Sequence, residues 1–248
     1  MPSEGSTFIS PAQAQFPQTL WSVVLQAGAG DDDNRRHEAL ARLCQAYWRP
    51  AYVFLRKQGN SPQDAEDLTQ GFFVHLLEKN RLENVGPEKG KFRSFLLTAL
   101  KNFAADQWAK NQAAKRGGGA IPFSIDATEA EKSYVAEPAH YDNPEKLFER
   151  QWLMELLRGV LSKLEQECVS AGKRERFELL KPYLTGEGEG SYPELANRLG
   201  MTPGALKVAV LRLRHRYREL VEEELSHTVA DEQQFADELR HLIRVIES

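Results

Sequence analysis

A strongly basic stretch near the end of the chain is the clearest sign of chemistry in this sequence. The segment GALKVAVLRLRHRYREL, residues 204–220, contains five lysine and arginine residues and no acidic residue before Glu219. The chain as a whole carries a net charge of −4. A solvated helix face normally mixes both signs of charge. A face with one sign is typical of a surface that binds a polyanion such as nucleic acid.

The apolar residues of the same stretch predict a helix. They recur at spacings of four and three residues and form one narrow face: Leu206, Val210, Leu213, Tyr217 and Leu220. The preceding segment SYPELANRLG predicts a short helix that ends at a turn over residues 200–203. Two helices in this arrangement are typical of a helix-turn-helix, whose second helix enters the DNA major groove. The alternative is a basic helical hairpin that binds nothing.

A second segment, SPQDAEDLTQGFFVHLLEKN, predicts a helix with a polar face. Ser61 is suited to the N-cap and Pro62 to the first helical position. Ala65 and Phe72 belong to the predicted buried side, whereas the opposite side presents Asp64, Asp67 and Gln70. Such a face either binds a protein partner or is simply solvated.

A third segment combines basic and aromatic residues. Residues 86–118 contain seven lysine or arginine residues and two acidic ones, interleaved with four aromatic rings: Phe92, Phe95, Phe103 and Trp108. Basic side chains hold phosphates, and aromatic rings stack on the bases of single strands. Most of these rings are expected in the core, which leaves one or two for contact with DNA.

These segments lie within an all-α fold, because apolar residues recur at three- and four-residue spacing through most of the chain. We expect two small helical domains joined by an acidic linker. The predicted divisions are an N-terminal extension, a first helical domain, the linker, a second domain with the helix-turn-helix, and an acidic helical tail: residues 1–34, 35–118, 119–150, 151–225 and 226–248.

Composition argues against several other classes of protein. No apolar run is long enough to span a bilayer, and the N-terminus lacks the pattern of a signal peptide, so a cytoplasmic protein is expected. The two cysteines and six histidines show no metal-ligand spacing, and no glycine-rich phosphate loop or Ser-His-Asp order is evident. We therefore expect no enzyme activity, cofactor, metal or small-molecule substrate.

Taken together, the three segments resemble the sigma-70 family of RNA polymerase sigma factors, especially the small extracytoplasmic-function (ECF) type. The basic segment resembles the helix-turn-helix that binds the promoter −35 element. The DAEDLTQ and KNFAADQW segments resemble the polymerase-binding and −10-binding helices of sigma region 2, in the expected order. The resemblance covers about residues 36–118 and 151–221. It implies core RNA polymerase and promoter DNA as partners, with an anti-sigma factor as a further candidate partner.

The resemblance also implies roles for individual residues, by position. Polymerase binding would fall to Asp64, Asp67 and Gln70. The −10 contacts would fall to Lys91, Arg93, Lys101, Asn102, Lys110, Lys115 and Arg116, with Asn102 at the start of the loop that captures a flipped base. The −35 contacts would fall to Thr202, Lys207, Arg212, Arg214, Arg216 and Arg218, the last three serving the DNA backbone.

Two of the departures from the family pattern bear on DNA binding. Val208 and Ala209 stand where polar or basic residues are common, so the −35 readout is expected to use apolar contact with thymine methyl groups. The acidic tail has no counterpart in a minimal member. We expect its apolar stripe to pack on the second domain while its acids shield the basic helix from DNA.

An alternative function is a helix-turn-helix transcriptional regulator that acts without core polymerase. That hypothesis explains residues 191–221 but assigns no role to the helices before residue 118.

Overall fold

A computed structural model describes residues 33–77, 91–113, 127–136, 143–185, 191–226, 229 and 232–247. These residues form ten helices and no strand, which confirms the predicted all-α fold. The helices are α1 (Asp33–Lys57), α2 (Pro62–Leu77), α3 (Phe92–Ala113), α4 (Ala127–Ala136), α5 (Pro144–Ser170), α6 (Arg174–Leu180), α7 (Pro182–Thr185), α8 (Tyr192–Arg198), α9 (Pro203–Ser226) and α10 (Glu232–Glu247). Among these helices, none has the length and apolar character required to cross a membrane.

Local sequence signals set several helix ends. Gly59 follows α1 with a φ of 93°, a left-handed conformation that glycine adopts without a steric penalty. Ser61 caps α2, since its Oγ accepts a hydrogen bond from the backbone N–H of Asp64 at 3.1 Å. Asn143 caps α5 in the same way and accepts from the N–H groups of Glu145 and Lys146 at 2.9 and 3.2 Å.

The main core lies around the second half of α1. This helix continues through Pro50, which is buried, instead of splitting there. The Tyr47 ring meets the edge of Phe92 from α3 at 5.5 Å and stacks at 6.4 Å on Trp152 from α5. Aromatic residues bury large apolar areas, so these contacts join α1, α3 and α5 into one unit.

Helices α2 and α3 approach each other closely at a glycine. A Cβ atom built on Gly71 would lie 3.3 Å from Cζ of Phe103. Phe103 is buried and also contacts Phe72 at a ring separation of 5.8 Å. Gly71 therefore makes room for an α3 side chain.

Part of the predicted acidic linker is helical and rests on the first core. Ala130 of α4 is fully buried. Glu131 accepts hydrogen bonds from Arg56 Nε at 2.8 Å and from the Tyr52 hydroxyl at 2.7 Å. These donors, Arg56 first, hold the pKa of Glu131 below its usual range. The acid thus attaches this segment to α1.

Helix α5 crosses the predicted boundary between linker and second domain. Its first half places Leu147, Phe148, Trp152 and Leu153 in the main core. Its second half places Val160 and Leu164 in a cluster with Phe177 of α6 and Leu220 of α9. One continuous helix therefore contributes to both regions, and the division at residue 150 stays a prediction.

The C-terminal helix packs on the main core through its apolar stripe. Four apolar residues of α10 pack against the main core, namely Phe235, Leu239, Leu242 and Val245. The end of α9 joins them there through Val221 and Leu225. Helix α10 contacts α5 and α9, which lie largely within residues 151–225, so these contacts agree with the predicted packing of the tail on the second domain, while its core is shared with α1.

Candidate nucleic-acid and polymerase interface

The outer side of α2 presents the three residues assigned to polymerase binding. Asp64 and Asp67 are exposed and Gln70 is half-buried, while the other side buries Ala65, Thr69, Phe72, Phe73 and Leu76. The Asp64 carboxylate accepts a hydrogen bond from Ser61 Oγ at 2.6 Å, so it also belongs to the helix cap. Gln70 donates to Glu66 at 3.4 Å. The result is a rigid polar face on a helix whose opposite face is anchored in the core.

The basic residues of α3 differ sharply from their expected exposure. Arg93 is only 4% exposed and forms ion pairs with Glu149 and Glu238, the latter on α10. Lys91 Nζ lies 2.5 Å from the same Glu238 carboxylate. Lys101 pairs with Glu145 at the start of α5. All three predicted phosphate contacts are thus occupied by acids.

The remaining −10 residues fall into two groups. Asn102 is exposed on the middle of α3. Lys110 belongs to α3, but its side chain lies outside the described residues, as do Lys115 and Arg116.

One aromatic residue of α3 stands apart from the others. Phe92 and Phe103 are buried and Phe95 is half-buried, whereas Trp108 is 67% exposed. An exposed tryptophan ring offers a stacking surface for an unpaired base. The sequence predicted one or two accessible rings without identifying them, and Trp108 is the one with the most exposed ring.

Helices α8 and α9 meet at a tight turn. Ser191 caps α8 by accepting a hydrogen bond from the N–H of Glu194 at 3.4 Å, and Gly200 takes a φ of 63° in the turn. Thr202 Oγ1 accepts from the N–H of Ala205 at 3.2 Å, which caps α9. The two helices share a small core of Leu195, Ala196, Leu206, Ala209 and Val210, completed by Leu180 and Tyr183.

The five basic residues of α9 have two kinds of surroundings. Lys207, Arg212 and Arg218 are exposed and have no acidic partner among the described residues. Arg214 donates to the carbonyl oxygen of Tyr183 at 2.7 and 3.1 Å. Arg216 donates to Glu167, Glu219 and Glu223 at 2.8 to 3.1 Å. The first three remain available to phosphate, and the last two support the structure.

The apolar residues at positions 208, 209 and 211 of α9 differ in exposure. Val208 is 47% exposed and Leu211 is 68% exposed, but Ala209 is 7% exposed and lies in the small core. Ala209 therefore cannot reach a base edge, contrary to the sequence-based expectation. Leu211, which the sequence analysis did not select, lies three residues from Val208 and shares its accessible side.

Among the described residues, no group of three or more histidine, cysteine, aspartate or glutamate side chains is arranged to hold a metal ion.

Comparison with known families identifies the first helical region. Residues 43–114 match the family described as Sigma-70 region 2. The match begins within α1, includes all of α2 and ends just after α3. No curated protein and no solved structure shows significant similarity to the chain. Residues 43–114 thus resemble sigma-70 region 2, the domain that binds core RNA polymerase and melts promoter DNA in sigma factors, and this match supports a sigma-70 family sigma factor.

Proposed function

We propose that this protein is an ECF-type sigma factor that binds core RNA polymerase and directs promoter recognition and opening. The observation that carries the proposal is the sigma-70 region 2 match over residues 43–114, which coincides with helices that pack around one core. The finer assignment to the ECF type draws on the presence of α8 and α9 after that domain and on the small size of both helical regions.

The polymerase would bind the outer face of α2. This face is polar and exposed at Asp64 and Asp67, and the helix is held by its buried side. A rigid element lowers the entropic cost of association, since little side-chain and backbone freedom remains to be lost.

Promoter DNA would contact two places. Near α3, the exposed Asn102 and Trp108 offer a hydrogen-bonding side chain and a stacking ring for an extruded base. On α9, Lys207 and Arg212 lie beside Val208 and Leu211 on the accessible side of the helix. This combination of phosphate-binding charge and apolar surface suits a major-groove site that contains thymine methyl groups.

The test is co-elution of the purified chain with bacterial core RNA polymerase in gel filtration. We expect the wild type to co-elute and the variant Asp64→Ala, Asp67→Ala, Gln70→Ala to bind at least about tenfold more weakly, a difference of roughly 1.4 kcal/mol. A matched control is Gln166→Ala, Glu175→Ala, Glu178→Ala, which removes the same numbers of carboxylates and amides from exposed positions on α5 and α6.

Equal weakening in the control variant would remove the case for an α2 docking face. If the wild type fails to bind polymerase but binds duplex DNA alone, the independent helix-turn-helix regulator becomes the better account.

A further inference from the structure

Helix α10 covers the N-terminal end of α3 with a single buried carboxylate. Glu238 is 1% exposed and lies between two basic residues of the sigma-70 region 2 domain, Lys91 at 2.5 Å and Arg93. The Arg93 guanidinium also sits over the Trp152 ring, 5.0 Å from its centroid. Residues 145 positions apart in the chain therefore form one charged cluster.

The charges around this cluster balance only when α10 is in place. Lys91 and Arg93 supply two positive charges, Glu149 of α5 supplies one negative charge, and Glu238 supplies the other. His241 of α10 contacts Glu149 at 2.9 Å and so occupies part of its bonding capacity. Without α10, the same surface would carry a net positive charge beside an aromatic ring.

Glu238 is held through two ion pairs alone. Its buried carboxylate oxygens contact Lys91 and Arg93, and neither oxygen has a hydrogen-bond donor beyond these two cations among the described residues. A buried ion pair repays the loss of hydration only when its geometry is good and its remaining bonding positions are filled. Another anion that offers several oxygens could therefore replace this carboxylate at little net cost.

We propose that Lys91 and Arg93 form a binding surface for the phosphate backbone of single-stranded nucleic acid, and that Glu238 occupies this surface in the free chain. The strand and α10 then compete for the same two cations. The competition restricts strand binding to circumstances in which α10 has moved. This inference rests on the proposed function, since the strand is the one that a sigma factor would hold during promoter opening.

The first experiment measures binding of a fluorescent single-stranded oligonucleotide to the full chain by anisotropy. We expect Glu238→Gln to bind about three- to tenfold more tightly than the wild type. Glu178→Gln is the matched control, because it makes the same change at an exposed position on α6, away from Lys91 and Arg93. This control should stay within about twofold of the wild type.

The salt dependence adds a readout that a change in fold stability would not produce. Each additional phosphate contact on a single strand steepens the slope of log affinity against log salt by about 0.7. The bound strand contacts the same two cations in the wild type and in Glu238→Gln, so their slopes should agree, whereas adding Lys91→Gln to Glu238→Gln should make the slope shallower by about 0.7. Absence of strand binding by Glu238→Gln, an affinity equal to that of the matched control, or a slope that Lys91→Gln leaves unchanged would overturn the proposal.

A second experiment uses only the wild type and so does not depend on how a variant folds. Hydrogen exchange of residues 232–247 is measured with and without saturating oligonucleotide. Competition predicts faster exchange in α10 when the strand is bound, and unchanged or slower exchange would contradict it. Polymerase co-elution of the same sample tests the proposed function separately. If the chain still binds polymerase but the strand slows exchange in α10, only the competition is rejected. Loss of polymerase binding itself counts against the proposed function.

Discussion

The basic residues at the start of α3 and those on the accessible side of α9 are the same residue types in opposite surroundings. Lys91 and Arg93 are enclosed by Glu149 and Glu238, whereas Lys207 and Arg212 project from α9 without an acidic partner among the described residues. The difference shows that a run of positive charge is only a candidate DNA surface until its neighbours are known. An exposed cation without an acidic partner can bind phosphate directly. A cation paired with an acid can bind phosphate only after that acid has moved, and other cations only stabilise the fold.

Arg93→Ala should produce the largest effect on stability, and it tests the role of the buried basic residues at the start of α3. The substitution leaves the carboxylate of Glu238 buried without its arginine partner and removes the contact with Trp152. Breaking a buried pair in this way costs about 3–5 kcal/mol. The free energy of unfolding from urea denaturation measures the loss.

Lys207→Ala provides the control for that measurement, since its exposed side chain should change the free energy of unfolding by less than about 0.5 kcal/mol. Similar losses in both variants would show that the two regions do not differ as their geometry indicates.

The double substitution Lys207→Ala, Arg212→Ala tests the role of the exposed basic residues of α9. It should weaken binding of duplex promoter DNA by about tenfold or more while leaving stability nearly unchanged, because these side chains hold phosphates or base edges only in the complex. Anisotropy with a labelled duplex measures the affinity. Arg158→Ala, Lys163→Ala serves as the control, because it removes the same number of positive charges from α5, where both bases pair with acids. An equal loss in that control would mean that net charge alone explains the effect.

Arg216→Ala should have the smallest effect and sharpens the comparison within α9. Arg216 already bonds Glu167, Glu219 and Glu223, so we expect less than a twofold change in DNA affinity. Since these partners are more than one third exposed, solvent screening limits the stability loss to about 0.5–1 kcal/mol. A larger loss of DNA affinity would show that Arg216 contacts DNA, as Lys207 and Arg212 are proposed to do.

The same variant has a pH signature. Arg216 lowers the pKa of Glu167 below its ordinary value of 4.5, so the folded chain binds this proton less readily than the unfolded chain. The associated stability is present above that ordinary value and is lost as the pH falls through the lowered pKa. Between about pH 6 and pH 3, the free energy of unfolding should therefore fall less in Arg216→Ala than in the wild type. Identical pH profiles would argue against the Glu167 pairing.

Local signals were read correctly from the sequence where neighbours in the chain decide the outcome. The cap at Ser61 and the turn at residues 200–203 depend on hydrogen bonds and backbone angles within a few residues. The apolar spacing of α9 likewise predicted Leu206, Val210 and Leu220 as buried residues. Ala209 was misjudged because a small side chain gives little periodic signal, and its burial depends on packing against α7 and α8.

The sequence by itself determined the all-α fold, the order of the main helices and the candidate surfaces of α2, α3 and α9. Helix periodicity, capping and charge sign are properties of short segments, so they are legible without coordinates. Only the tertiary structure decided that α5 belongs to both regions, that α10 packs on the main core, and that Glu238 reaches Lys91 and Arg93. These contacts join distant segments, and which distant charges meet depends on how the apolar faces pack.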